Sequence, residues 1–162
     1  MKFLLMSNFE KEHALEYTKA VAKELVQNGA VCTMNLQHKD KIGSCEYITF
    51  EDFQMALAQC DMVIAIGGDG TILHSGYHAA CEDKPVLGIN VGRLGFLATL
   101  EKDEIHKLQR IFKRDYTLEK RMLLQVEYQQ DGEQKIALAW NDAVISKGAL
   151  SRMIDLWISC DQ

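Results

Sequence analysis

The run MVIAIGGDGTILHSG, Met62 to Gly76, decides how the rest of the chain is read. Met62 to Ile66 is continuously apolar and β-branched at Val63, Ile64 and Ile66, the composition of a strand buried on both faces of a parallel sheet. Gly67, Gly68 and Gly70 then take the chain out of that strand. Without a Cβ they permit φ > 0 and a close approach of backbone to a ligand, and Thr71 and Leu73 open a helix, so the turn suits phosphate. Asp69 complicates this, because a carboxylate in a phosphate cradle repels the ligand unless a metal ion or a proton-carrying hydroxyl stands between them. That residue needs a chemical role.

Working outward from the turn, strands and helices alternate. Phe3 to Met6 is a first apolar strand; Ala14, Thr18, Val21 and Leu25 recur at helical spacing until Asn28-Gly29 stops them; Ala30 to Met34 is a second strand. Leu36 to Tyr47, with Gly43 and several polar residues, reads as a loop. Thr49, three residues before Asp52, resembles a capping box ahead of a helix carrying Phe53, Ala56 and Leu57. After the helix that follows Gly70 come a turn at Glu82 to Pro85 and another strand, Val86 to Ile89. This alternation predicts an α/β fold, a Rossmann-like parallel sheet covered on both sides, over residues 1–115.

Beyond Glu101 the texture changes. Ile105, Leu108 and Ile111-Phe112 suit one amphipathic helix, with the charged remainder of LEKDEIHKLQRIFKR as its solvated face. Leu124, Val126 and Tyr128 alternate, QQDGEQ is a turn, and Ile136 to Trp140 returns; Ala143 to Ser146 and Met153 to Cys160 continue in the same manner. Residues 116–162 therefore read as the first strands of a mainly antiparallel β domain, apparently truncated, and the chain as a fragment of a longer protein.

Composition narrows the function. The 162 residues are 48% hydrophobic, enough for a core, and carry a net charge of −5, which argues against a sequence-independent grip on nucleic acid. The start, MKFLLMSNFEKE, is too short an apolar run for a signal segment or a membrane span, which predicts a cytoplasmic protein with no membrane partner. Five cysteines without a C-x-x-C pair suggest neither zinc nor a disulfide framework. His74 and His78 have the i, i+4 spacing of a metal pair but lack an evident third ligand, so no metal site is assigned to side chains.

Three motifs in order, GGDGT (Gly67 to Thr71), GINVGRLGFLATL (Gly88 to Leu100) and WNDAVISKGALSRMIDL (Trp140 to Leu156), make the sequence resemble the NAD kinases. The first alone is shared with diacylglycerol-type lipid kinases and phosphofructokinases; the second and third single out the family. The resemblance implies transfer of the ATP γ-phosphate to the 2′-hydroxyl of the adenosine ribose of NAD, with Mg²⁺ or another divalent cation, by a cytoplasmic homo-oligomer in its full-length form. It gives Asp69 the role of accepting the ribose hydroxyl proton, and the amides around Gly67, Gly68, Gly70 and Thr71 that of holding phosphates. It sets Phe96 beside the dinucleotide, whereas position alone leaves a core phenylalanine equally open. It gives Asn141 and Asp142 hydrogen bonds to NAD, where the residues alone allow a locally bonded turn, and it leaves Arg152 to meet a phosphate or pair with an acid. Rival readings are a lipid kinase, which leaves NVGRLGFL unexplained, and a non-catalytic nucleotide-binding fragment, for which little or no NADP formation is expected. A dehydrogenase is disfavoured, since MSNFEKEH stands after the first strand where G-x-G-x-x-G belongs.

Overall fold

The computed structural model describes residues 1–92, 95–146, Trp157 and Ser159. The chain divides into two compact units, Met1–Met122 and Leu123–Gln162. In the first, strands β1 (Lys2–Ser7), β2 (Val31–Asn35), β3 (Thr49–Glu51), β4 (Met62–Gly67), β5 (Val86–Asn90) and β6 (Leu100–Glu101) form a sheet in the order β3-β2-β1-β4-β5-β6. Every pairing in it is parallel, with Leu5 opposite Ile64 and Ile64 opposite Leu87. The helices are α1 (Ala14–Gln27), α2 (Lys39–Ile42), α3 (Phe53–Gln59), α4 (Asp69–Cys81) and α5 (Gln109–Phe112).

The central strand shows why the apolar run matters. Every residue of β4 is buried, and the period of two sends its side chains to opposite layers. Met62, Ile64 and Ile66 join Phe3, Leu5, Val21, Leu25, Leu108 and Ile111 on one face. Val63 joins Leu4, Ala56, Leu57 and Ala79 on the other. A fully buried isoleucine contributes about 1.5–3 kcal/mol, so an unbroken apolar strand is stable only where helices cover both faces. Helix α1 buries Ala14, Thr18, Val21, Ala22 and Leu25 and ends at Gly29, whose φ of 86° continues the chain where a Cβ would be strained.

Several local expectations are corrected. Thr49 opens the edge strand β3, with its hydroxyl 3.2 Å from that of Thr33; Asp52 is the cap of α3, its Oδ1 accepting from the amides of Gln54 (2.9 Å) and Met55 (3.2 Å). Pairing with β2 claims Thr49 before it can cap. The predicted loop after β2 contains a 3-10 turn, Leu36–His38, and then α2, whose Ile42 is buried in the core. The helix predicted around Ile105 is 3-10 over Lys102–Leu108 and α only in α5, which suits apolar residues spaced at three: Ile105, Leu108 and Ile111. The two-residue strand β6 carries too little pattern to be anticipated.

The second unit contains an antiparallel hairpin of β7 (Leu124–Gln130) and β8 (Glu133–Ala139). Asp131 and Gly132 join them, both at positive φ (55° and 80°), as a two-residue turn that follows strand twist requires. Ala143 to Ser146 is not a strand: no neighbour pairs with it among the described residues, and Val144 and Ile145 are exposed. Of Met153 to Cys160, only Trp157 and Ser159 lie within the described residues.

Candidate functional site

In the first unit the chain adds strands to one side of β1 and then crosses to start β4 on its other side, and ligands bind such sheets at the carboxyl ends of those two strands. A cleft of about 570 Å³ opens there. Asn8 follows β1 into it, His38 and Lys41 come from the α2 segment, and Thr71, His74 and His78 come from α4, from its first turn to its last.

The glycine-rich turn works differently from its sequence expectation. Helix α4 begins at Asp69, two residues before Thr71; Gly68 is extended (φ −101°, ψ −173°); and Gly67, Gly68 and Gly70 are all absent from the positive-φ residues. Glycine is needed for space instead. A Cβ on Gly67 would run into the Thr71 side chain, 2.6 Å from its Cβ, whereas Cβ atoms on Gly68 and Gly70 would meet nothing within 4 Å. Those two positions leave the helix N-terminus open to an anion, with the Thr71 amide already donating to the Gly68 carbonyl at 2.9 Å.

Asp69 reaches away from its own turn to the second motif. Its Oδ2 accepts from the Phe96 amide and its Oδ1 from the Leu97 amide, both at 3.1 Å, and a Cβ on Gly95 would strike the carboxylate. Phe96 is 98% exposed, which removes the core alternative for that residue. Gly67, Gly68, Asp69, Gly70, Thr71 and Phe96 are thus gathered in one unit. Asn141 and Asp142 belong to the second unit, exposed beyond the end of β8, with the Asn141 amide donating to the Asp142 carboxylate at 3.3 Å. Arg152 lies outside the described residues.

Sequence reasoning missed several cleft residues. Lys41 and His38 sit in the segment read as a loop; burial, assisted by Lys41, lowers the His38 imidazole pKa from its ordinary value. The Ser75 hydroxyl is buried without a partner among the described residues. Asn90, 1% exposed, donates to the Glu101 carboxylate and accepts from the Gly92 amide at 3.1 Å, which ties the end of β5 to the residues after it and to β6. The signal for Asn90 was its place just after an apolar strand. His74 and His78 stack edge-on with centroids 4.7 Å apart, and His78 also lies 5.0 Å from Phe53. Burial, then the neighbouring His74, lowers the His78 pKa. Among the described residues no three His, Cys, Asp or Glu side chains come together as a metal site.

Comparison with known proteins agrees with this geometry. The sequence profile of the ATP-NAD kinase N-terminal domain matches residues 3–116. The chain is 35% identical over 162 residues to the NAD kinase of Chlorobium luteolum, covering 99% of this chain and 55% of that protein. It is 35% identical over 160 residues to the NAD kinase of Symbiobacterium thermophilum, covering 98% and 56%. It spans about half the length of the curated relatives it matches. Yeast NADH kinase, solved in complex with NADH, shares the fold with a TM-score of 0.73 at 17% identity, over 86% of this chain and 46% of that one. A profile covering most of the chain, close relatives along its whole length, and a Rossmann-like sheet bearing GGDGT at its switch point lead to one conclusion: this chain belongs to the NAD kinase family.

Proposed function

We propose that this chain supplies the phosphate-binding half of an NAD kinase, which transfers the γ-phosphate of ATP to the 2′-hydroxyl of the adenosine ribose of NAD. The observation that carries the reading is the α4 N-terminus, open at Gly68 and Gly70, with the Asp69 carboxylate and the exposed Phe96 beside it. Phosphoryl transfer is mostly positioning and charge stabilisation, and its nucleophile loses its proton late; a carboxylate that accepts the hydroxyl hydrogen bond and aims the oxygen is sufficient.

In this reading the triphosphate lies in the cleft against the first turn of α4, with Thr71 and Lys41 within its walls. A divalent cation carried by the triphosphate, as Mg²⁺ usually is, would offset the phosphate charge facing Asp69. Asn141, Asp142 and Arg152, on the second unit, are proposed to bind ribose hydroxyls and a phosphate of NAD. Among the described residues Cys32, Cys45, Cys60 and Cys81 are free thiols, which suits a reducing cytoplasmic setting. Among the described residues no helix is long and apolar enough to cross a membrane.

The test is NADP formation from ATP, NAD and Mg²⁺ by this chain alone and by this chain joined to the C-terminal half of the Chlorobium relative. The joined protein is expected to make NADP and the chain alone little. Asp69→Asn in the joined protein is expected to cost about 3–5 kcal/mol of transition-state stabilisation. Turnover within a few-fold of the parent would remove Asp69 from the chemistry.

A further inference from the structure

The Gly92 amide is held by the Asn90 side chain, and the Thr99 amide donates to the Gly88 carbonyl at 2.9 Å. Among the described residues between Gly92 and Thr99, the hydrogen bonds are the two from the Phe96 and Leu97 amides to Asp69. Phe96 is 98% exposed, so no apolar packing holds its ring in place. Gly95 is also shaped by the same carboxylate, because a Cβ there would lie 3.1 Å from the Asp69 Cγ and closer still to Oδ1.

We propose that Asp69 is the anchor of the Gly95–Leu97 turn, so that the carboxylate at the start of α4 also sets the position of the Phe96 ring. The second half of this statement rests on the kinase reading, which sets Phe96 beside the dinucleotide, and takes the ring as a shelf for its flat base. The first half does not depend on it.

The chemistry permits both duties. A carboxylate offers roughly four lone-pair sites, and two amides on separate oxygens leave one on each for a substrate hydroxyl. The N-terminal end of a helix favours a negative side chain in its first turn, where Asp69 stands. Asp69→Asn therefore changes two things at once: it removes the proton acceptor, and it turns an NH₂ group toward an amide that needs an oxygen. A kinetic loss in that variant mixes chemistry with misplacement of Phe96.

Amide hydrogen exchange measured by NMR on the 162-residue chain reads the anchor directly, whatever reaction the protein runs. Asp69→Ala is expected to accelerate exchange at Phe96 and Leu97 by about tenfold or more, the factor lost with a hydrogen bond to a charged acceptor, while β5 and α1 stay protected. Asp69→Asn, which keeps one oxygen, is expected to spare one of the two amides. Gly95→Ala leaves the carboxylate intact and blocks its approach, so it is expected to match Asp69→Ala; it decides the matter should Asp69→Ala unfold. Unchanged exchange at both amides in Gly95→Ala overturns the anchor.

Titration with NAD in the absence of ATP tests the coupling to Phe96. Asp69→Ala and Phe96→Ala are each expected to weaken binding, and the double variant to be no weaker than the worse single one. Additive losses overturn the coupling. Failure of the unsubstituted chain and of the joined protein to bind NAD removes the base-shelf role together with the kinase reading, while the exchange result continues to judge the anchor.

Discussion

Ile64 of β4 and Ile136 of β8 are both isoleucines in hydrogen-bonded strands, yet the first is 0% exposed and the second 64%. Strand β4 has a parallel neighbour on each side and apolar clusters over both faces. Among the described residues strand β8 pairs with β7 alone, and most side chains of both are exposed. Backbone pairing satisfies amides in either place, but its net contribution per bond is small, and only the layered region removes large apolar area from water. Stability in this chain follows layering, not strand content; an isolated two-stranded ribbon is marginal in water.

The sharpest way to break this comparison is a matched pair of truncations. Ile64→Ala is expected to cost about 2–5 kcal/mol in urea unfolding, because the covered sheet cannot collapse onto the hole. Ile136→Ala is expected to stay within about 0.5 kcal/mol. Equal costs would mean that the hairpin is buried as deeply as the sheet.

A smaller effect separates the regions by their backbone devices. Asp52→Ala removes the two hydrogen bonds that start α3 and should lower the unfolding free energy by about 1 kcal/mol. Gly132→Ala forces a side chain into a φ of 80° and should cost the hairpin about 1 kcal/mol. Amide exchange is expected to localise the second loss to residues 124–139, with α3 and β4 unaffected. Spread of the Gly132 effect into β4 would show that the two regions unfold together.

The smallest effect is a difference in thiol reactivity within the layered region. Burial, with Cys45 nearby, pushes the Cys32 thiol up to about 12, whereas Cys81 is exposed. The thiolate is the reactive form and its fraction grows as pH rises toward the pKa, so raising the pH from about 7 to about 9 still leaves Cys32 protonated. Mass spectrometry after brief alkylation is expected to show Cys81 modified and Cys32 intact at both pH values. Labelling of Cys32 on a par with Cys81 would show that the α1 side of the sheet opens freely.

How much of this was legible follows from how local each signal is. The strand Met62 to Ile66, the α1 stripe and the Asp131-Gly132 turn are written within a few residues each, and the parallel sheet follows from their alternation. Thr49 misled because strand pairing with β2, sixteen residues away at Thr33, overrode a cap signal. Ala143 to Ser146 misled because an apolar run is a strand only where a partner lies alongside. Of the site, GGDGT was plain, but the Asp69 bonds to Phe96 and Leu97 span 27 and 28 residues and have no local pattern. The glycine of LGFL, Gly95, was the available hint, a missing Cβ whose reason lay in another motif.

The parallel sheet finishes on strands of three residues at one margin, β3, and two at the other, β6. Another molecule grafts onto a sheet by matching a run of free amides and carbonyls, and so short a run gives an incoming strand little to grip. The chain's most adhesive segment, Met62 to Ile66, is shielded by standing mid-sheet. Collisions between folded copies are therefore unproductive at these margins, and clumping through β4 waits for the domain to open. Association through β4 is therefore limited by the rate of that opening.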